Sequence, residues 1–136
     1  MPVGWPPGLE MQCDVPSMFD GDQQARRQSL GRCSRSGLIN SVEYVPSWSL
    51  TGANTNYRTI AVYNRGQAGA GTALVASLDL TSGVDLTRGL AKALTLGAAA
   101  DRVIAVGDHL EYISTATGTG AADAGGRVIV QHTNGT

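Results

Sequence analysis

The sequence predicts an all-β fold: an antiparallel β-sandwich or jelly-roll-like domain preceded by an extended N-terminal arm. Three observations carry this expectation. From Gly37 onward, apolar and polar residues alternate with a period of two, the signature of half-buried strands. Clusters of Gly, Asn, Thr and Ser interrupt that alternation at short intervals, as turns between strands do. Residues 1–36 stand apart, with prolines at 2, 6, 7 and 16, grouped charges and both cysteines. The expected division is therefore an arm over 1–36 and a β-sandwich domain over 37–136.

Within the arm, the prolines exclude a regular helix from the first stretch and favour extended backbone. A short helix fits Ser17 to Leu30, with Asp20 or Asp22 near its start and Gly31 as a stop. Large branched aliphatic residues are few: Val3, Leu9, Val15 and Leu30, with Trp5 and Phe19 beside them. Ordering backbone costs roughly 1–2 kcal/mol per residue, so such a segment gains little by folding on itself. What holds it is expected to be its own sandwich, a sister subunit or a different protein.

Beyond the arm, Leu38 to Val45 reads as a strand stopped by Pro46, and Ser49 to Asn56 as a loop. Tyr57 to Asn64 is rich in β-branched and aromatic residues, with Ile60 and Val62 on one face and Tyr57, Thr59 and Tyr63 on the other. Asn64 to Gly71 is a glycine turn. In Thr72 to Leu80 the row Thr72, Leu74, Ala76, Leu78 and Leu80 is expected inward, and the row Ala73, Val75, Ser77 and Asp79 outward. Leu90 to Leu96 fits either a strand carrying Leu90, Leu94 and Leu96 or a helical turn, and its turn-like flanks favour the strand. Val103 to Val106 is a short apolar segment. After the Gly107-Asp108 turn, His109 to Ala116 resumes as a strand with Leu110 and Tyr112 on one face. Gly126 to Thr133 is the last strand, with Val128 and Val130 inward.

Composition narrows the function classes. Only 15% of residues are charged, against roughly 25% in average soluble domains, which suits a subunit that covers much of its outside with neighbours. The net charge of −1 supplies no field for direct nucleic-acid binding. Lys92 is the only lysine, so the cations are otherwise arginines, suited to planar contacts with carboxylates. The N-terminus lacks the basic and apolar regions of a secretory signal, and no apolar run reaches the roughly 18 residues of a membrane span. Cys13 and Cys33 are expected as free thiols made in a reducing cytoplasm rather than as a bridge.

No catalytic constellation emerges, and the chain is expected to be non-enzymatic and without a cofactor. The segment GQAGAG at 66–71 lacks the Lys-Ser/Thr of a phosphate loop, and the sequence GTGAADA at 118–124 opens no expected helix. His109 and Glu111 share a strand face next to Asp108, yet a metal site needs more convergent ligands, and His132 is the only other imidazole. Asp79, Asp85 and Asp123 form no calcium loop. Trp48 and Tyr57, near one loop, are the aromatics a sugar-binding face would use. The arginines Arg26, Arg27, Arg32 and Arg35, with Trp5 and Phe19, are the residues expected to contact a protein partner.

The stretch Asn40 to Val130 resembles small virion proteins of tailed bacteriophages, especially those of actinobacterial hosts. The resembling pieces are SVEYVPSWSLTGANTNYRTIAVYNRGQAGAGT (Ser41 to Thr72), AKALTL (Ala91 to Leu96) and VGDHLEYISTATGTGAADAGGRVIV (Val106 to Val130). They lay out a strand, a TGANTN loop, a YNRG turn, a Gly-Asp corner and a closing Gly-rich hairpin. The resemblance covers about two thirds of the chain and implies a head decoration (cement) protein or a related capsid-surface or fibre-like module, usually trimeric. The expected partners are the major capsid protein and further copies of the chain, with the arm as clamp and the capsid surface as the location. A carbohydrate-binding sandwich module, or a tail or baseplate structural module, are the alternatives.

Overall fold

The computed structural model describes residues 8–15, 25–118 and 124–134. Two antiparallel sheets pack face to face. The first contains β1 (Gly8–Val15), β10 (Gly126–Asn134), β3 (Gly37–Pro46) and β6 (Lys92–Ala93) in that order, with β8 (Val103–Ile104) also on β3. The second runs β2 (Ala25–Arg32), β9 (His109–Thr117), β4 (Tyr57–Asn64), β5 (Ala73–Asp79) and β7 (Thr95–Leu96). Apart from the β4–β5 hairpin, successive strands alternate between the sheets, which is the connectivity of a jelly roll. Among the described residues, the one helical piece is a 3-10 turn at Ala99–Arg102.

Period-two burial builds the core. On β4, Arg58, Ile60, Val62 and Asn64 point inward; on β9, Leu110, Tyr112, Ser114 and Ala116 do. From the facing sheet come Ile39, Val42 and Tyr44 of β3 and Val128, Val130 and His132 of β10. The Tyr44 and Tyr112 rings stack across the interior with centroids 6.0 Å apart. Each large apolar side chain buried this way contributes about 1.5–3 kcal/mol. Gly126 starts β10 at φ +132°, where an added Cβ would lie 2.0 Å from Val45 O, so the chain enters against β3 only because that side chain is missing.

The expected arm is corrected over its described residues. Residues Gly8 to Val15 pair with β10 along their whole length, and Ala25 to Arg32 pair with β9. Its own sandwich holds these parts of it, as the leading edge strand of each sheet. The helix expected over Ser17 to Leu30 is likewise a strand from Ala25 onward, and residues 17–24 lie outside the described residues. The physical reason is tertiary. Leu30 reaches the core, and Gly31, at φ +110°, sits at a bulge in the pairing with β9 rather than stopping a helix.

Two further expectations change. A bulge between β4 and β5 leaves Val75 as the extra residue, so Val75 joins Ala76 in the core while Leu74 becomes half-buried. The Leu90 to Leu96 segment is not one strand. Lys92–Ala93 pairs with β3, Thr95–Leu96 pairs with β5, and buried Leu94 donates its N–H to Val42 O at 2.9 Å as the chain crosses between sheets. Leu90, expected on one strand with Leu94 and Leu96, precedes both short strands and is exposed.

Candidate functional site

The outer face of the β2-β9-β4-β5 sheet carries an open trough of about 490 Å³ lined by Arg27, Thr59, Ala61, Tyr63, Arg65, Thr72, Ile113 and Thr115. Its floor is Ala61 on β4 and its ladder partner Ile113 on β9. Both face away from the core, yet only 6% and 9% of their surface is exposed. Larger neighbours wall them in, and the small Ala61 leaves the depression.

Charge at one end of the trough is organised by Glu111. Its Oε1 accepts from Arg65 Nε at 2.9 Å and from Arg27 Nη1 at 3.3 Å. Arg65 is held further by donating to Gly71 O at 2.9 Å, and its guanidinium lies 4.8 Å from the centre of the Tyr63 ring. Arg27 is the exposed member of the pair, with 63% of its side chain open to solvent. Two guanidiniums against one carboxylate leave a net positive charge. At the other end, the Thr59 hydroxyl donates to Asp79 Oδ1 at 2.7 Å.

Of the six residues expected to contact a partner, the four arginines do not form one cluster. Trp5 and Phe19 lie outside the described residues. Arg27 belongs to the trough, while its neighbour Arg26 is half-buried and pairs in register with inward-facing Ser114. Arg32 donates from Nη1 to Gly107 O at 2.8 Å at one end of the sandwich, and Arg35 is exposed in the following turn. Proximity in sequence scattered them because alternate strand residues face opposite ways.

That same end is built by the 33–37 turn and the 103–108 segment, cross-linked by Cys33 N to Asp108 O at 2.7 Å and Gly107 N to Cys33 O at 2.8 Å. Asp108 is a turn organiser: its Oδ2 accepts from Ala105 N and from Asn64 Nδ2, each at 2.9 Å. Cys33 is buried and free, and burial, with the Asp108 charge second, pushes its thiol from 9.0 to about 11. Val103 and Val106 project outward here, each 59% exposed.

His109 and Glu111 do share the outer face, but His109 Nε2 lies 2.6 Å from Ser29 Oγ and Glu111 is taken by the arginines. Among the described residues, no group of three His, Cys, Asp or Glu residues is placed to hold a metal. Neither Trp48 nor Tyr57 lines the trough. Trp48 is in a loop with the Arg88 guanidinium 5.5 Å from its ring centre, and Tyr57 begins β4. Sequence reasoning missed Arg65, Glu111 and Ala61 as a unit. Only the alternation on β4 and β9, read together with their pairing, could have found it.

No family model matches the chain, and no curated protein matches it. Among solved structures, a CocE/NonD family hydrolase from Staphylococcus aureus is similar over 94% of this chain and 31% of that chain, with a TM-score of 0.42 and 10% identity. A chain of infectious bursal disease virus, Gx strain, is similar over the same shares, with a TM-score of 0.40 and 12% identity. This chain thus spans under a third of either, and at these scores neither neighbour transfers a role to it.

Proposed function

We propose that the chain is a non-enzymatic structural module of a virion that decorates the capsid surface, docking through the end formed by residues 33–37 and 103–108. The observation that supports this reading is the make-up of that end. Val103 and Val106 are exposed on the 103–108 segment, to whose Gly107 carbonyl Arg32 donates, and Arg35 is exposed in the 33–37 turn. Arginine is enriched at interface hot spots, and the two valines add apolar area that docking would remove from water. The end is also braced, because backbone hydrogen bonds and Asp108 fix the loops that carry it, so little backbone freedom is lost on docking.

The partner this end fits is a major capsid subunit offering an apolar recess rimmed with carboxylates. Repetition over a shell multiplies a modest contact by avidity, and association of the sandwiches, as trimers, strengthens it further. The sandwich itself does the gripping in this reading, since β1 and β2 are committed to the sheets.

The test follows a tagged chain during growth of the tailed phage whose genome encodes it. Wild-type chain is expected to sediment with purified heads. A folded V106D/R32A variant is expected to be lost from them. Heads that carry no wild-type chain, or that carry the double variant at equal occupancy, overturn the reading.

A further inference from the structure

We infer that the trough on the outer face of the β2-β9-β4-β5 sheet binds an acidic saccharide, a chain of sugars bearing uronate-type carboxylates. This site is separate from the docking end and does not depend on it.

The shape comes first. The trough is open rather than closed over, and its volume of about 490 Å³ falls in the range of small-ligand sites, roughly 300–1,000 Å³. An open trough suits a segment of a longer chain. Its floor strands are interior: β9 lies between β2 and β4, and β4 between β9 and β5. Their backbone donors and acceptors are spent within the sheet, so an extended peptide cannot add here as a strand. Recognition must come from side chains.

The chemistry of those side chains matches a sugar acid. Ala61 and Ile113, only 6% and 9% exposed, close the bottom of the trough and leave its walls to make the contacts. Thr59, Thr72 and Thr115 offer hydroxyls, and Thr59, already donating to Asp79, keeps its lone pairs for a sugar hydroxyl. Arg27 supplies the anchor. Its single 3.3 Å bond to Glu111 leaves most of its five N–H groups available, and Arg65 continues to neutralise Glu111 when Arg27 swings toward a ligand carboxylate. The Tyr63 ring already carries Arg65, so the guanidinium rather than an open aromatic platform sets specificity. The preference this predicts is for charged over neutral sugars.

The experiment titrates the full-length chain with tetragalacturonate and, separately, with its fully methyl-esterified form, followed by NMR or calorimetry. The acid is expected to bind and the ester to bind at least about tenfold more weakly, the range of one charge-assisted hydrogen bond. R27A is expected to lose about tenfold or more, and A61L, which fills the floor, to lose binding. R35A, which removes an equal charge at the docking end, is expected to leave affinity unchanged. Equal affinity for acid and ester, equal binding of poly-glutamate, or a loss in R35A matching that in R27A overturns the inference. R27A that still occupies heads shows that the two sites are distinct.

Discussion

Glu111 Oε1 lies 2.9 Å from Arg65 Nε, with both side chains mostly buried on a sheet face that points away from the core. Partial burial makes this pair more than a surface decoration. It fixes the loop that leaves β4 to the start of β9, and with Arg27 it sets the charge at one end of the trough, opposite the Asp79 carboxylate. Replacing Glu111 by Gln leaves two arginines facing a neutral amide. The expected loss is about 1–3 kcal/mol of stability, read as a shift in the urea midpoint at constant slope, with R65A losing a similar amount. A double variant no less stable than either single one is the signature of a coupled pair, whereas full additivity would contradict the assignment.

Deleting residues 1–36 is expected to abolish cooperative unfolding rather than release a folded domain. The truncation removes both leading edge strands, strips Leu30 and Cys33 from the core, and exposes the unpaired edges of β9 and β10. Thermal melts followed by circular dichroism check this. A truncated chain that melts within a few degrees of full length would show that β1 and β2 contribute little.

Cys33 is expected to react slowly with a thiol reagent in the folded chain at pH 8 and rapidly in denaturant. Its pKa is raised from 9.0 to about 11, first by burial and then by Asp108, so little thiolate exists at pH 8. The linkage has a definite sign. The unfolded thiol ionises near 9 while the folded one keeps its proton, so the stability from this group is complete below pH 9 and is lost as pH rises toward 11. Cys33→Ser is expected to flatten that alkaline decline, measured by denaturant titration at stepped pH.

Gly126→Ala is expected to destabilise by about 1–3 kcal/mol or more. The residue sits at φ +132°, and its new Cβ would overlap Val45 O. The comparison variant is Gly83→Ala, also at positive φ (+88°) but with open space around it, so its cost is the backbone term alone. Equal unfolding midpoints for the two would remove the steric part of the argument.

The amino-acid sequence by itself determined the all-β class and the strands whose burial is local in pattern. Tyr57 to Asn64, His109 to Ala116 and Gly126 to Thr133 are legible because each strand face declares itself every second residue, whatever it pairs with. Tertiary structure alone decided what depends on pairing. Residues 8–15 and 25–32 are poor in large aliphatic side chains, yet edge strands need only backbone partners and one shared face, and β10 and β9 provide these from the far end of the chain. Val75 enters the core because of a bulge opposite β4, and Leu94 is a crossing point because β3 and β5 lie on either side of it. The trough belongs to the same class: Arg27, Arg65 and Glu111 meet across 84 and 46 residues of sequence. Alternation is written along one strand, but register is set between strands, by the summed fit of all the faces that must close at once.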